Sequence, residues 1–444
     1  MRPGGAPTPL LDRVFCCRSL RFDQVELVGF DMDYTLAAYR QPEMDRLAAE
    51  ATLRRLVEAG YPPELARVGC PYDFPIRGLL VDVAEGNVLK MDRYRYVKMG
   101  YHGTRQLTRA ERQRYEGRRP RLGSDRYRWV DTLYSLPDVA VYVAAIDLLE
   151  QLGPVDHAQL WEDVRVSADV AHRDGEVYRA VLADVDRYVA RDPQLLAALE
   201  GLRRAGKRTF LLTNSGAATT ERLMAALFDD APRPRGAWRE LFDVVVTEAA
   251  KPAWFVGQRA FADVDQPGRP VEHLEPGRLY RGGSRAEFER LVGVGGPHVL
   301  YVGDHIYGDV LRANVESGWR TCMIIQELVD ELVADRAHAA DLRRIDSLDA
   351  EVVELHEAAR AARPCSAERA RELEAERDGL EAKVDRSHHP YWGSLFRAGT
   401  ELSMFGAQVE KYAWLYTTKA SNLGAYSPYH FFRSPRVRLA HDGA

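Results

Sequence analysis

Two aspartates, Asp31 and Asp33, stand directly after a short apolar run at residues 25–30. The run predicts a buried strand, and because alternate residues of an extended chain point the same way, both carboxylates can reach one place. A carboxylate pair is costly to keep as ordinary core at the end of such a strand. It is well suited to binding Mg²⁺ and to offering an oxygen nucleophile to phosphorus.

Two more polar groups follow later apolar runs. Thr213-Asn214-Ser215 comes directly after residues 210–212, where hydroxyl, amide and helix N–H groups can hold phosphoryl oxygens. The same residue types are the usual N-caps of helices, so this turn alone is a weak signal. Lys251 lies beyond another apolar run, where its ammonium could neutralise a phosphate, although a single lysine is by default a surface residue.

A second pair of acids, Asp304 and Asp309, follows the apolar run at 300–302. One of them can ligate a metal ion while the other orients Lys251 or a water molecule. Four carboxylates on one rim repel one another and raise their pKa values unless a divalent cation lies among them. Hard oxygen ligands favour Mg²⁺ over zinc or copper, so the sequence predicts Mg²⁺ as the cofactor.

These residues come together only if the apolar runs are neighbouring strands of one sheet. Helical periodicity at 195–205 and 219–228 alternates with the runs, which is typical of an α/β fold with a Rossmann-like, doubly wound parallel sheet. In such sheets the ligand lies beyond the carboxyl ends of the strands. The predicted strands are 25–30, 208–212, 242–247, 298–302 and 321–325.

The rest of the chain divides around this core. The long interval after the first strand has a hairpin signal at 79–91 and helical stretches at 44–59, 139–152 and 177–189. This pattern predicts an inserted α+β, mostly helical cap. We expect an N-terminal arm at 1–20, a catalytic core at 21–45 and 190–335, an insertion at 46–189, and a helical C-terminal extension at 336–444 that packs on the core.

The extension combines a charged helical stretch at 367–384 with a final segment rich in aromatic residues. That segment is too apolar for a disordered tail, so it should pack on the core or on another subunit. A homodimer or a homotetramer is therefore compatible with the sequence, but neither is required by it.

Composition limits the class of protein. The chain has 444 residues, of which 46% are hydrophobic and 29% charged, as in soluble globular proteins. A net charge of −5 gives no reason to expect nucleic-acid binding. The arginine-rich stretch at 105–128 is best explained as a solvated face or a mobile loop, with a phosphate-attracting rim as the less favoured alternative. Five cysteines without metal-site spacing, no signal peptide and no apolar stretch of membrane-spanning length indicate a cytoplasmic protein.

Taken in order, the polar turns resemble the four motifs of the haloacid dehalogenase superfamily. The second acid, Asp33, resembles the phosphoryl-transfer branch of that superfamily, since its dehalogenases lack this residue. The sequence GFDMDYTLA at 29–37 indicates a smaller group within that branch, because it resembles the cytosolic purine 5′-nucleotidases. Other segments with this resemblance are NVLKMDR at 87–93, YHG at 101–103, YSLPD at 134–138, YVGDHIYGD at 301–309, GWRT at 318–321 and GSLFRAG at 393–399.

The resemblance implies a mechanism for the core residues. Asp31 would attack phosphorus and form an aspartyl-phosphate, and Asp33 would be the general acid and then the general base. Mg²⁺ would be held by Asp31, Asp304 and the backbone carbonyl of Asp33, while Asp309 would support Lys251 or the water shell of the metal. The groups that hold phosphoryl oxygens would be Thr213, Asn214 and Lys251.

The resemblance also implies a nucleotide site under the cap. Arg165, Asp169 and His172 are spaced to share one helix face, where arginine and aspartate can pair with purine edges. Tyr134 could cover the face of a base. An ordinary salt-bridged helix explains the same three residues. The substrate-binding residues implied in this way are Tyr134, Arg165, Asp169, His172 and Ser215.

Two positions depart from the purine-specific enzymes of this branch. Tyr178 stands where relatives have a lysine, and Tyr134 stands where they have a phenylalanine. Both departures affect the preference for inosine or guanosine monophosphate, and neither affects the phosphoryl-transfer residues.

Three functions fit these residues. The leading hypothesis is a Mg²⁺-dependent 5′-nucleotidase acting on purine nucleoside monophosphates, with phosphate transfer to another nucleoside as a further activity. The second keeps the chemistry and replaces the substrate by a sugar phosphate or another small phosphorylated metabolite. The third is a non-catalytic interaction protein, which the presence of every motif acid disfavours.

Overall fold

The computed structural model describes residues 8–117, 119–121, 123–173, 175–229, 236–359 and 365–436 of the chain. The strands are β1 (Phe15–Cys16), β2 (Leu20–Arg21), β3 (Leu27–Phe30), β4 (Ala38–Tyr39), β5 (Leu79–Asp82), β6 (Asn87–Met91), β7 (Val97–His102), β8 (Arg105–Gln106), β9 (Tyr127–Val130), β10 (Val189–Ala190), β11 (Arg208–Leu212), β12 (Val244–Thr247), β13 (Phe261–Asp263), β14 (Leu279–Gly282), β15 (Val299–Gly303), β16 (Arg320–Ile324), β17 (Arg397–Ala398), β18 (Glu401–Leu402), β19 (Leu415–Thr417) and β20 (Phe431–Phe432).

The α-helices alternate with these strands in the second half of the chain and cluster in the insertion and near the C-terminus. They are α1 (Gln41–Glu58), α2 (Arg109–Gln113), α3 (Leu136–Leu152), α4 (His157–Arg173), α5 (Glu176–Ala183), α6 (Val185–Tyr188), α7 (Leu195–Arg204), α8 (Ala217–Phe228), α9 (Arg285–Val292), α10 (Arg312–Ser317), α11 (Leu328–Ala337), α12 (Ala339–Ala359), α13 (Cys365–His388) and α14 (Met404–Tyr412).

A nine-stranded sheet with the order β1-β19-β16-β15-β3-β11-β12-β14-β13 forms the centre of the molecule. The strands from β19 to β14 run parallel, and the two edge strands β1 and β13 pair antiparallel. After β3 the chain builds β11, β12 and β14 on one side of it and then β15, β16 and β19 on the other. The predicted α/β fold with a doubly wound parallel sheet is confirmed, and its switch point lies at β3.

The central strands are apolar along their whole length because both faces of the sheet are covered. Every residue of β3 and of β15 is buried. Strands buried on both faces have continuous apolar runs instead of alternating ones, which is why these runs were visible in the sequence. Each run ends at the edge of the sheet, so the polar residues that follow it lie on one side of the molecule.

The insertion combines a second sheet with a group of helices. Its five-stranded antiparallel sheet has the order β8-β7-β6-β5-β9, and β5 and β6 form the predicted hairpin, with Leu79 opposite Lys90. Helices α1, α3 and α4 pack against one another. The arginine-rich stretch at 105–128 contains β8, α2 and the start of β9, and its residues 118 and 122 lie outside the described part of the chain.

The predicted single helix at 177–189 is wrong in detail. The chain breaks at Asp184, where φ is −145° and ψ is 71°, and the side chain of Asp184 accepts a hydrogen bond from the amide of Arg187 as the N-cap of α6. An N-cap aspartate ends one helix and begins the next because its side chain replaces a missing backbone acceptor. Strand β10 then pairs with β4, which places Val189 opposite Tyr39.

The C-terminal segment contributes strands as well as helices. Helices α12 and α13 pack together, whereas β19 lies inside the main sheet between β16 and β1. Trp392 of this segment is fully buried and the rings of Phe22 and Phe432 lie 5.9 Å apart, so the segment packs on the rest of the chain, although Tyr429 and Phe431 are exposed. Of the predicted N-terminal arm, residues 1–7 lie outside the described part, and β1 is paired with β19. Within the described ranges, no helix has both the length and the apolar character needed to cross a membrane.

Candidate active site

The carboxyl ends of β3, β11, β12 and β15 meet at a cavity of about 800 Å³. This volume is within the usual range for small-molecule sites, about 300–1,000 Å³. The cavity lies at the switch point, where a doubly wound sheet leaves a crevice between diverging loops. The predicted site residues that line it are Asp31, Asp33, Tyr134, His172, Asn214, Ser215, Lys251, Asp304 and Asp309.

A tight turn after β3 holds the first two acids at the edge of the sheet. The amide of Ala37 donates a hydrogen bond of 2.9 Å to the carbonyl of Met32 and closes the turn. Tyr34 has a φ of 56°, in the left-handed region, which costs a residue with a side chain about 1 kcal/mol or more. The turn is thus a strained segment that keeps Asp31 and Asp33 beside each other.

Lys251 is the cation at the centre of the site. Its Nζ lies 2.9 Å from Asp31 Oδ1 and 2.7 Å from Asp309 Oδ1, and it donates a hydrogen bond of 2.8 Å to the hydroxyl of Tyr301. Burial alone would lower the pKa of Lys251, but the nearby carboxylates of Asp309 and Asp31 outweigh it and hold the pKa well above its ordinary value. The ammonium therefore stays charged.

Asp31, Asp304 and Asp309 form an acid cluster, with ligand oxygens that lie within 4.8 Å of one another. Burial raises the pKa of Asp31 well above its ordinary value, and burial together with the charge of Asp309 raises the pKa of Asp304 to about 7. The Oδ2 atom of Asp304 is buried and has no hydrogen-bond partner. An all-oxygen donor set with an orphaned buried oxygen fits a hard divalent cation such as Mg²⁺.

Asp33 is held differently from Asp31. Its Oδ1 accepts a hydrogen bond of 2.7 Å from the hydroxyl of Tyr39, and its Oδ2 accepts one of 2.7 Å from Ser215 Oγ. Burial raises the pKa of Asp33, while the hydrogen bonds from Tyr39 and Ser215 oppose that rise. The two oxygens are thus fixed in orientation, and the carboxyl has the raised pKa suited to a group that donates and then accepts a proton.

Tyrosines and a histidine form the wall above Asp33. The hydroxyls of Tyr134 and Tyr178 lie 3.1 Å apart, and the hydroxyl of Tyr178 lies 3.5 Å from Ser215 Oγ. The ring of Tyr134 meets the ring of His172 edge to face, with centroids 5.6 Å apart. Tyr134 and His172 were predicted as substrate-binding residues, and both lie at the cavity wall on elements of the insertion.

The Thr-Asn-Ser turn after β11 shapes the loop of Lys251. The side chain of Asn214 donates to the carbonyl of Lys251 at 3.0 Å and accepts from its amide at 2.6 Å. Thr213 is fully buried, and its hydroxyl accepts a hydrogen bond of 3.0 Å from the amide of Ser215. Ser215 and Asn214 therefore line the cavity, whereas Thr213 lies behind it as an anchor of the turn.

Arg165 and Asp169 are not part of the cavity wall. They pair with each other at 3.6 Å on α4, and their side chains are 41% and 65% exposed. Of the three residues predicted to share one face of α4, His172 is the one that lines the cavity, because the C-terminal turn of α4 is the part of the helix next to the site. Contact of Arg165 and Asp169 with a nucleoside stays a prediction.

Three residues that contact the predicted site residues from behind the cavity wall had no signal in the sequence. Tyr39 follows the first motif but belongs to a short strand, and Tyr301 lies inside the buried run of β15. Arg77, from the insertion, is fully buried, donates to the carbonyl of Asp304 at 2.8 Å and pairs with both oxygens of Glu327. Only their position next to the motifs could have indicated Tyr39 and Tyr301, and nothing local indicated Arg77.

Residues 14–444 match the 5′ nucleotidase family. A 5′-nucleotidase domain-containing protein of Dictyostelium discoideum is 30% identical over 437 residues, which cover 94% of this chain and 73% of that protein. A solved structure of a predicted phosphoglycolate phosphatase from Haemophilus somnus matches at 14% identity with a TM-score of 0.30, covering 68% of this chain and 85% of the other. An archaeal beta-phosphoglucomutase from Pyrococcus matches at 12% identity with a TM-score of 0.32, covering 68% and 86%. The chain therefore belongs to the 5′ nucleotidase family and is a phosphoric monoester hydrolase.

Proposed function

We propose that the protein is a Mg²⁺-dependent 5′-nucleotidase that converts purine nucleoside 5′-monophosphates to nucleoside and phosphate. The observation that carries the proposal is the contrast between Asp31 and Asp33. Burial raises the pKa of both carboxyls, but their contacts differ: Asp31 is ion-paired with Lys251 at 2.9 Å, whereas Asp33 receives a neutral hydroxyl hydrogen bond on each oxygen. Neighbouring carboxyls in such different environments are suited to different tasks, one as nucleophile and one as acid and base.

In the first half-reaction a carboxylate oxygen of Asp31 attacks phosphorus. The bond from that oxygen to phosphorus forms, the bond from phosphorus to the ribose O5′ breaks, and the nucleoside leaves. Asp33 gives its proton to the leaving O5′ atom, and its raised pKa favours the protonated form that this step needs. Lys251 faces the transferring group and neutralises part of its charge.

In the second half-reaction a water oxygen attacks the phosphorus of the aspartyl-phosphate and forms a bond to it. Asp33 is now a carboxylate, whose charge the hydroxyls of Tyr39 and Ser215 stabilise, and it takes a proton from the attacking water. The bond between phosphorus and the oxygen of Asp31 breaks, so that phosphate leaves and the carboxylate is restored. A second nucleoside in place of water would receive the phosphoryl group, which is the phosphotransferase activity that we include in the proposal.

Mg²⁺ would be held by Asp31, Asp304 and the backbone carbonyl of Asp33. When bound, it supplies positive charge to the phosphoryl oxygens and offsets the repulsion within the acid cluster. Asp309 holds Lys251 at 2.7 Å and so keeps the ammonium beside the nucleophile.

The purine would lie under the insertion. Tyr134 and His172 offer ring surfaces at the cavity wall, and the volume of about 800 Å³ is sufficient for a nucleoside monophosphate. The described cysteines Cys16, Cys17, Cys70 and Cys322 are free thiols, which agrees with the cytoplasm as the proposed compartment. Assembly into a dimer or tetramer stays a prediction.

A rate panel tests the proposal. Initial rates of phosphate release are measured with Mg²⁺ for inosine, guanosine and adenosine monophosphates and for several sugar phosphates. We expect purine monophosphates to be hydrolysed faster than sugar phosphates, and the activity to vanish in Asp31→Asn and after chelation with EDTA. Equal activity of Asp31→Asn and wild type would contradict the nucleophile, and full activity in EDTA would contradict the metal.

A sugar or other small-metabolite phosphatase is the second candidate. One observation favours it: Arg165 and Asp169, the side chains best able to read a purine edge, pair with each other outside the cavity. The same panel decides between the candidates. Faster hydrolysis of a sugar phosphate than of every nucleotide would establish the second candidate in place of the first.

A further inference from the structure

Two histidines and a glutamate converge at one point of the insertion. His102 ends β7, Glu150 lies near the end of α3, and His157 begins α4. The Nε2 atoms of both histidines lie 2.9 Å from the same oxygen, Oε1 of Glu150. The three side chains are 21%, 39% and 18% exposed, so a solute ion can reach them. We call these residues the His-Glu-His cluster.

A chain of hydrogen bonds fixes the proton on His102. The hydroxyl of Tyr115 donates to Asp82 at 2.8 Å, and it therefore accepts from the side-chain amide of Asn87 at 2.9 Å. The remaining oxygen of that amide faces His102 Nδ1 at 3.0 Å, so Nδ1 must be the donor. In the neutral ring of His102, Nε2 then has a lone pair and no proton.

That lone pair points at a carboxylate oxygen of Glu150, 2.9 Å away. Two lone pairs at this distance repel each other unless a positive charge lies between them. Either His102 is a cation with protons on both nitrogens, or a metal ion bound by Nε2 and the carboxylate takes the place of that proton. A second imidazole, of His157, points at the same oxygen, so two imidazole nitrogens and one carboxylate converge on one point, as the ligands of a metal ion do.

The backbone around the cluster is built for close approach. A Cβ at Gly86 would lie 2.7 Å from Cδ2 of His157, and a Cβ at Gly103 would lie 1.8 Å from Oδ1 of Asp147. Asp147 in turn accepts hydrogen bonds from the amide and the hydroxyl of Thr104, at 3.1 and 2.6 Å. The turn after β7 is thus fastened to α3, which sets His102 against Glu150 before any ion binds.

We propose that His102, Glu150 and His157 bind a zinc-class divalent cation, with Zn²⁺ as the best match. Imidazole nitrogens and one carboxylate are ligands of Zn²⁺, whereas Mg²⁺ prefers oxygen ligands. The hydrogen bond from His102 Nδ1 to Asn87 is the kind of supporting contact that orients a metal-binding histidine. The site is separate from the acid cluster, whose ligands are all oxygens.

The bound ion would join β7, α3 and α4 at one point. Helix α4 begins at His157 and carries His172, a residue of the cavity wall, in its last turn. An ion that fastens the first residue of α4 to α3 restrains the helix that lies over the cavity. We therefore expect Zn²⁺ to stabilise the folded chain, because a ligand that binds only the folded state raises its stability.

The test is a Zn²⁺ titration of the full-length protein in a large excess of Mg²⁺, which occupies the acid cluster. Calorimetry gives stoichiometry and affinity, visible absorption after replacement by Co²⁺ reports the ligand geometry, and thermal unfolding gives the Tm. We expect one Zn²⁺ per chain and a higher Tm with Zn²⁺ present. Absence of saturable binding in Mg²⁺, or Zn²⁺ that Mg²⁺ displaces completely, would overturn the proposal.

Variants connect the binding to the cluster. Loss of a group that only supports a metal ligand weakens metal binding by about tenfold or more. His157→Ala and Glu150→Gln each remove a ligand, so each should weaken Zn²⁺ binding by at least that factor. Glu150→Gln is the safer variant for folding, because it keeps the shape of the side chain and its hydrogen-bonding ability. His298→Ala, which removes an exposed histidine 3.1 Å from Glu26, is the matched control and should bind Zn²⁺ as wild type does. Unchanged Zn²⁺ affinity in both cluster variants would refute the assignment.

Discussion

Replacing Tyr39 by phenylalanine should change the proton affinity of Asp33 and little else. The hydroxyl of Tyr39 donates a hydrogen bond of 2.7 Å to Asp33 Oδ1, and the tyrosine is buried, with 3% of its surface exposed. Tyr39→Phe removes one oxygen atom and keeps the ring, whose centroid lies 4.9 Å from that of Tyr34. The packing of the wall is therefore preserved while the carboxylate of Asp33 loses a donor.

The size of the effect follows from the contact. A hydrogen bond to a charged group contributes about 1.5–3 kcal/mol, and this one favours the ionised form of Asp33. Its loss should increase the proton affinity of Asp33 by about ten- to a hundredfold, so that the pKa, already raised by burial, rises further. Because the pKa of Asp33 in the folded chain then lies further above its unfolded value, the variant also loses stability at neutral pH.

The assay is the pH dependence of kcat/KM for phosphate release. Formation of the aspartyl-phosphate needs Asp33 protonated, so the alkaline limb of the profile reports the pKa of that residue. We expect Tyr39→Phe to move this limb to higher pH. Tyr61→Phe is the matched control, since Tyr61 also donates a 2.7 Å hydrogen bond to an aspartate, Asp163, but that aspartate does not line the cavity, whereas Asp33 does.

An alkaline limb at the same pH in wild type, Tyr61→Phe and Tyr39→Phe would refute the reasoning. So would a limb that moves to lower pH, because the lost hydrogen bond can only disfavour the carboxylate. A lower kcat/KM across all pH values with an unmoved limb would mean that Tyr39 positions the substrate and does not tune Asp33.

Three further outcomes test other parts of the site. Lys251→Met should lower kcat by about 10²–10³-fold, because it removes the charge that faces the transferring phosphoryl group; steady-state rates check this, and a change in KM alone would count against it. Asp304→Asn should raise the Mg²⁺ concentration needed for half-maximal phosphate release, and an unchanged Mg²⁺ titration would remove Asp304 from the metal ligands. Arg77→Met should lower the free energy of unfolding by about 3 kcal/mol, because it leaves Glu327 and a buried carbonyl without their partner; urea unfolding measures the loss, and a stability equal to wild type would contradict it.

The strands of the core could be predicted because each one is a continuous apolar run in the sequence. The runs of β3 and β15 are continuous and apolar, and parallel pairing places their carboxyl ends on one edge. These two facts are enough to predict that Asp31 and Asp304 lie close together, even though the loop conformations are not known from the sequence. Lys251 could be predicted in the same way, since it follows the end of β12.

The contacts that cross the insertion could not be predicted, because no local pattern records them. Arg77 lies far along the chain from Glu327 and Asp304, and its neighbours in sequence show no periodicity that points to either. The orientation of α4 is a similar case. Its spacing places Arg165 and His172 on one face, but only the packing of α4 against α1 and α3 decides that His172 reaches the cavity and Arg165 does not.

The place of β19 in the main sheet has a consequence for how the protein is made. This strand pairs in parallel with β16, yet it is synthesised only after α11, α12, α13 and α14. Until β19 has been synthesised, β16 is therefore an edge strand on the nascent chain, and its unpaired backbone groups could form hydrogen bonds with another nascent chain. The long charged helices that are synthesised in this interval would keep such an intermediate dissolved, so folding yield should depend on a region remote from catalysis.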